Sequence, residues 1–406
     1  MAYSEWKYPN GLNIITEDMP SMASVTVGFF VLSGAGHESL EEIGIAHALE
    51  HLLFRGSLLY PKGTMSPEFT QLTGTMNAFT TWEYTCFYSR STPEVLSDAF
   101  LPLMDMIRQP LLREEDFNLE QNIIRRELSR QLEEPRSRLT HALHQSVYPG
   151  RLGKLLIGHD EDILQLKAPD LREFHKRHYI PSNILLVISG RLEKCIGLDS
   201  CLQALEDWDE SIIPVELEQP LIAQPEVVNL TQKHSELCYS LWAWSLPPLE
   251  DKEHYAVHLL CTLLGDDNYI GSRLYNKIVA PGFAQQITCV YTVLGGKGLF
   301  KIYGLTSAPQ LEWIREKMLV ELQQIKAGMI TPREYNRAKQ KVKTQMALDA
   351  SGSHSRSVSI AQAWMRHKRM VPLSELLALI DQISIDDLQN IIEQYFSGRE
   401  FFEIYG

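Results

Sequence analysis

The sequence predicts a mixed α+β protein of two related domains, and three observations carry that prediction. Apolar residues alternate with period two in some stretches and recur with helical spacing in others. A proline-rich, acidic stretch interrupts both patterns near the middle of the chain. The order of strand, acidic loop and helix found before that stretch recurs after it. With 406 residues the chain is long enough to bury a core in each half. Its 44% hydrophobic and 22% charged residues are the balance of a globular protein, which excludes a disordered one.

The chain opens as a hairpin. Trp6-Lys7-Tyr8 and Leu12-Asn13-Ile14-Ile15 flank Pro9-Asn10-Gly11, and Asn-Gly is a strong hairpin turn signal. Ser24–Leu32 reads as a buried strand, and a helical pattern runs from Ile43 to Phe54. Thr75–Arg90 reads as a strand pair. Pro93–Ile107 and Arg113–Glu133 read as helices, the second long and highly charged, and Pro135 ends or kinks it. Leu171–His178 reads as a short helix, and Asn183–Ser189 as a buried strand closed by Gly190. From about Asp207 to Glu226 come Pro214, Pro220 and Pro225 among several acids. This stretch reads as a linker, 207–226, between a domain at 1–206 and a related domain at 227–406.

In the second half, Leu237–Trp244 leads through Ser245-Leu246 and the acids Glu250, Asp251 and Glu253 into a helix over Tyr255–Leu264. Matching Ser33 to Ser245 sets an offset of 212 residues, which carries His47, Glu50 and His51 onto Leu259, Thr262 and Leu263. Further on, Glu115–Asn118 matches Arg333–Asn336 at an offset of 218, which carries Glu120 and Glu127 onto Ala338 and Gln345. The two units share a frame, and only the first keeps a polar constellation.

The formal net charge of −13 argues against a nucleic-acid partner, which needs a basic face for phosphates. It gives a bias toward cationic peptides. Met1 to Asn10 contain no apolar h-region, and no run reaches the roughly 18–20 apolar residues that span a bilayer. The expectation is a cytoplasmic protein without membrane contact. Cysteines stand at 86, 195, 201, 238, 261 and 289 with no Cys-x-x-Cys pair, so they are expected to be reduced, buried and structural.

His47-Ala48-Leu49-Glu50-His51 carries the chemistry. Residues four apart on a helix sit one above the other, so His47 and His51 present two imidazoles to one point, and Glu50 projects from the same face. A catalytic zinc takes three protein ligands and leaves a position for water, so a third ligand is required from another helix. The order His-x-x-Glu-His is the inverse of the His-Glu-x-x-His zinc signature. Alone, the five residues also fit a helix whose two histidines hydrogen-bond in the core or at the surface. The flanking Ile45, Ala46, Leu49, Leu52 and Leu53 make this helix apolar nearly all round. Three polar groups on its buried face need partners, because an unsatisfied one costs about 1–3 kcal/mol. A metal and its water satisfy all three.

At these residues the chain resembles the insulinase/pitrilysin-type zinc peptidases. The likeness is to their short two-domain form, as in mitochondrial processing peptidase subunits and bacterial homologues. The resemblance spans nearly the whole chain. It is carried by His47-x-x-Glu50-His51, by Glu127 at 76 positions after His51, and by the strand Asn77-Ala78-Phe79-Thr80. Tyr179-x-Pro181-x-Asn183 before a strand, and Gly271-Ser272-Arg273-Leu274-Tyr275, match as well. The resemblance implies that each domain is a mostly antiparallel sheet packed with helices, the two enclosing a substrate cleft or chamber. It implies one zinc ion (Zn2+) per chain, bound by His47, His51 and Glu127, with Glu50 as the general base that takes a proton from zinc-bound water. Glu120, two helical turns before Glu127, lies about 10 Å away along the axis. It fits a bond to a ligand histidine or to substrate better than one to the metal. Asn77, Ala78 and Phe79 would lie on an edge strand that holds a peptide as an added β-strand.

One part of the family pattern is missing. Members often carry an Arg and a Tyr seven residues apart in the second domain, holding substrate or oxyanion. Here those positions fall near Ile278 or Val279 and on Gln285. Arg273 and Tyr275 are substitutes in reach of the sequence, set against a plain packing role. The resemblance therefore implies a zinc endopeptidase acting on peptides or unfolded segments, as a homodimer or as a heterodimer with a homologous subunit that supplies the Arg/Tyr pair. The other readings are a non-catalytic or partner-dependent subunit, and a maturation peptidase for one dedicated precursor peptide.

Overall fold

A computed structural model describes residues 2–63, 74–208, 237–266, 269–396 and 401–405. The greater part of the expected linker, 209–226, lies outside the described residues. The described residues form two compact units. The first is drawn from Met1–Ser129, Lys154–Leu217 and Leu348–Val371; the second is drawn from Arg130–Gly153, Glu218–Ala347 and Pro372–Gly406. The sequence reading takes the domains as continuous; the compact units exchange the segments 130–153 and 348–371.

The first unit opens with strands β1 (Ala2–Lys7) and β2 (Asn13–Asp18), antiparallel with Trp6 opposite Ile14. Gly11 turns the hairpin at φ +92°, and Asn10 Oδ1 accepts from Leu12 N at 3.2 Å. There follow β3 (Val25–Val31), helix α1 (Ile45–Leu53), β4 (Thr75–Thr80), β5 (Thr85–Ser91), α2 (Leu96–Arg108) and α3 (Glu114–Glu133). Pro135 ends α3 and starts α4 (Pro135–Val147), which belongs to the second unit; Glu134 caps it, accepting from Arg136 N and Ser137 N. The first unit resumes with α5 (Asp160–Gln165), α6 (Ala168–His178), β6 (Ile184–Gly190) and α7 (Leu198–Gln203). Its sheet has the order β1-β2-β6-β3-β5-β4. β2 and β6 run parallel and the other pairs antiparallel.

β3 is buried along its whole length because both sheet faces are covered. Phe29 points to α2, its ring 5.6 Å from that of Phe100. Phe30 points the other way, into a cluster of Ile15, Cys86, Leu185 and Val187 with Ile360, Ala361 and Trp364. The last three sit on α11 (Ser353–His367), the exchanged helix that covers this face. Each such apolar side chain contributes roughly 1.5–3 kcal/mol on full burial. Arg356 of α11 fixes the helix by a two-pronged ion pair with Glu17 of β2, at 2.5 and 2.8 Å, both side chains being almost wholly buried.

The second unit holds β7 (Cys238–Leu246), α8 (Asp251–Gly265), β8 (Gln286–Leu294), β9 (Lys297–Thr306), α9 (Leu311–Lys326) and α10 (Pro332–Asp349). Following α11 come α12 (Leu373–Gln382), α13 (Ile385–Tyr395) and β10 (Phe401–Tyr405). Its sheet, β10-β7-β9-β8, is antiparallel throughout and repeats the order β6-β3-β5-β4 of the first. A core of Trp242, Trp244, Phe300 and Ile302 with α8, α9 and α13 fills one face. α4 packs against β7 and β10 on the other. The offset of 218 thus holds for helices: α3 and α4 correspond to α10 and α11. The offset of 212 does not hold for the strands. Phe30 faces the exchanged helix, whereas the matching face of the second sheet carries Tyr303, which pairs across with Leu241 and bonds Thr140 of α4. Trp242 lies on the opposite face and corresponds to Phe29. A one-residue slip inverts a strand's faces, so the true strand offset is odd.

Candidate metal centre

α1 is started by backbone geometry that only glycine tolerates. Gly44 has φ +87°, and a Cβ there would meet Ile157 O at 2.5 Å. The first free N–H groups of the helix are taken by a buried carboxylate: Glu38 Oε2 accepts from Gly44 N at 2.8 Å and Oε1 from Ala46 N at 2.9 Å. Sequence reasoning passes over Glu38, whose role depends on a loop closing onto the helix end. Ile45, Ala46, Leu49, Leu52 and Leu53 are buried, as the apolar pattern requires.

The polar face of α1 meets α3. The His47 and His51 rings lie 4.7 Å apart. Glu127 Oε2 is 3.7 Å from His47 Nε2 and 3.5 Å from His51 Nε2. The donor atoms of these three residues all fall within 4.8 Å of one another, and theirs is the one such cluster of three or more among the described residues. Tetrahedral zinc with bonds near 2.0–2.1 Å sets its donors about 3.3 Å apart. The three side chains fit that ion with little adjustment.

The neighbours tune these groups. Glu120 Oε2 lies 2.9 Å from His51 Nδ1, and its Oε1 accepts from Arg55 Nε. With Nδ1 engaged, His51 turns Nε2 toward Glu127. Burial pushes Glu120 up, but the bonds from His51 and Arg55 outweigh it and hold the carboxyl below its usual value. Burial likewise opposes charge on His51, yet its bonds to Glu120 and Glu127 raise it to about 9. His47 goes the other way, down to about 4, through burial and the nearby His51. It is therefore ready to ligate at pH 7, whereas His51 must first give up a proton to bind a metal. Burial raises the Glu50 carboxyl, against the hydrogen bond that its Oε2 accepts from Thr80 Oγ1 at 2.5 Å. Thr80, Arg55 and Glu38 are neighbours to which the sequence assigned no role; each acts across 6 or more residues of chain.

Asn77, Ala78 and Phe79 lie in β4, at the edge of the sheet and packed beside α1. Asn77 is exposed, and its Oδ1 accepts from the Ala78 N–H at 2.9 Å. The side chain thus covers an edge donor that an added strand would use. Arg273 is engaged in the second unit: it donates to Glu334 and to the Met329 carbonyl, and its Nη1 lies 3.5 Å from Glu321 Oε2 as an ion pair without a hydrogen bond. Tyr275 opens a π-helical turn, Tyr275–Val279. The packing role fits Arg273. The described cysteines are unbridged, and burial pushes the thiols of Cys86, Cys195, Cys201, Cys238 and Cys261 up. No helix among the described residues is long and apolar enough to cross a membrane.

Comparison with known proteins agrees with this frame. Residues 13–160 match the family described as Insulinase (Peptidase family M16), and residues 165–342 match the Peptidase M16 inactive domain. The uncharacterized zinc protease YmxG of Bacillus subtilis is 24% identical over 394 residues, 96% of this chain and 94% of its own. The mitochondrial-processing peptidase subunit beta of Saccharomyces cerevisiae is 26% identical, over 94% of this chain and 86% of its own. The crystal structure of a protease from Helicobacter pylori shares the fold with a TM-score of 0.86 at 18% identity, covering 100% of this chain and 99% of that one. With both halves matched, the chain belongs to the insulinase family of peptidases, M16, in its short two-domain form.

Proposed function

We propose that this chain is a zinc-dependent endopeptidase for peptides or unfolded segments, with His47, His51 and Glu127 as the ligands of one zinc ion. The observation that carries this reading is the convergence of those three donors beside a half-buried carboxylate, Glu50. When bound, zinc supplies Lewis acidity and lowers the pKa of water toward about 7. Glu50 is the general base. Thr80 holds its Oε2, so Oε1 takes the proton of the attacking water and passes it to the leaving amine. Burial, which raises its pKa, suits it to hold that proton in transit. Glu120 positions His51 and does not reach the reacting atoms. The β4 edge at Asn77, Ala78 and Phe79 takes the substrate as an added strand once Asn77 releases Ala78 N–H. The test is Glu50→Gln in the zinc-loaded chain. It should keep zinc and lose hydrolysis of a mixed peptide library; retained turnover would remove Glu50 as the base.

A partner-dependent form of this reading is favoured by one observation. Ile278, Val279 and Gln285 stand where the family resemblance calls for an Arg and a Tyr, and Arg273 is committed to its own unit. Several relatives are named as subunits. If the isolated chain binds zinc yet cleaves nothing, while a homologous partner restores cleavage, the heterodimer is the active form. Cleavage confined to one precursor peptide would mark the narrower maturation role.

A further inference from the structure

α8 carries a second histidine pair at the spacing that makes the first. His254 and His258 stand four apart on this helix, one above the other. Their rings lie 4.8 Å apart at 74°, against 4.7 Å and 62° for His47 and His51. They are not the counterparts of that first pair, which the sequence match carries onto the buried Leu259 and Leu263. Both lie within the second unit, and both are half-buried.

The two rings are held from one side. Tyr291 of β8 packs against both, its ring centroid 5.4 Å from that of His254 and 5.1 Å from that of His258. Tyr291 lies in turn over Gly298 of β9, where a Cβ would meet its Cε2 at 2.5 Å, so glycine leaves the room that this ring needs. Tyr255 packs on His254 at 5.1 Å. Side chains fixed in this way lose little further rotamer freedom when they take a ligand. Packing alone asks for apolar side chains against Tyr291, with no ring nitrogens to desolvate.

We propose that His254 and His258 form a second metal site, for a borderline divalent ion such as Zn2+, Ni2+ or Cu2+. Imidazole suits these ions, whereas Mg2+ and Ca2+ take oxygen ligands. Two protein ligands leave the other positions to water, so the site is weaker than one with three and fills after it. A metal-bound imidazole keeps its other ring nitrogen for a hydrogen bond, which each histidine can make while it ligates. Two donors fixed on one helix face make the second bond intramolecular, which tightens binding by roughly 100-fold over a lone histidine. The bound ion ties consecutive turns of α8 together. This site stands apart from the peptidase reading and does not depend on it.

The probe is Ni2+, on the untagged full chain loaded with one equivalent of zinc, which goes to the tighter three-ligand centre. Dialysis against rising Ni2+, with both metals read by atomic absorption, should add one nickel per chain and leave the zinc in place. His254→Gln and His258→Gln should each weaken nickel binding by roughly 100-fold, with the melting temperature near that of the parent. The double variant His47→Ala with His51→Ala should still take nickel at α8, so a failed zinc centre is told apart from a failed second site. In that double variant the EPR spectrum of bound Cu2+ reads the ligands with α8 intact, and two imidazole nitrogens are expected. No nickel on the zinc-loaded chain at millimolar Ni2+, uptake unmoved by both α8 variants, or a Cu2+ spectrum without two nitrogens would overturn the site.

Discussion

Glu120 Oε2 sits 2.9 Å from Nδ1 of His51, so the histidine that faces Glu127 through one ring nitrogen is held through the other. Arg55 binds the second oxygen of the same carboxylate, making a chain of charge from Arg55 through Glu120 to His51. Glu120→Ala should lower zinc affinity by roughly 10–100-fold without removing any ligand. Competition against a chromophoric chelator measures it, and an unchanged affinity would take Glu120 out of the account.

Thr80 does the corresponding work for Glu50. Thr80→Val keeps the shape of the strand and deletes the bond to Glu50 Oε2. Turnover should fall by roughly tenfold or more, a fraction of what a positioned general base supplies. Zinc content and KM should stay close to the parent values. A variant with parental kcat would show that Glu50 needs no such support.

Acid should destabilise the fold through buried and half-buried imidazoles. Burial pushes His175 down to about 4, and its Nε2 meets the Ile107 carbonyl at 2.7 Å. His37, His178 and His144 are also pushed down to about 4, in each case chiefly by burial. Their folded values lie below the unfolded value near 6.5. The stability tied to the neutral rings is therefore complete above pH 6.5 and is lost as pH falls from there toward 4. The urea midpoint of the metal-free protein should drop steadily over that window. His175→Asn should flatten part of the drop; an identical pH profile in the variant would contradict the assignment.

The buried pair of Glu17 and Arg356 bridges 339 positions of sequence and ties α11 to the first sheet. Glu17→Gln leaves the guanidinium buried without its counter-charge and should cost about 3–5 kcal/mol. The double change Glu17→Met with Arg356→Met should recover most of that loss, read from urea unfolding. A single variant as stable as the parent would mean that water reaches the site.

These pairs mark where the sequence stops being legible. His47, Glu50 and His51 are readable because helical geometry alone brings i, i+3 and i+4 together, and the hairpin at Asn10-Gly11 is readable because the turn is local. The repeat is visible in the order of elements, and Pro135 shows where α3 must end. That α4 and α11 cover sheets of the opposite halves is not visible. Their faces match surfaces about a hundred or more residues away, and a helix's pattern does not name its partner. The strand offset fails for a related reason: matching Ser33 to Ser245 respects composition but not the two-residue period that decides which face Phe30 takes. Glu38 and Arg55 give no signal because lone polar residues carry no period, and Thr80, legible only as a strand residue, gives no sign that it bonds Glu50.

The chemistry of this site is set by which atoms hold the metal. Anomalous diffraction at the zinc edge, on crystals of the zinc-loaded full chain, reads this directly. One peak per chain is predicted, bonded to His47 Nε2, His51 Nε2 and a Glu127 carboxylate oxygen, with Glu120 on His51 Nδ1 and outside the coordination sphere. No peak at that position, or a zinc held by Glu120 in place of Glu127, would contradict it.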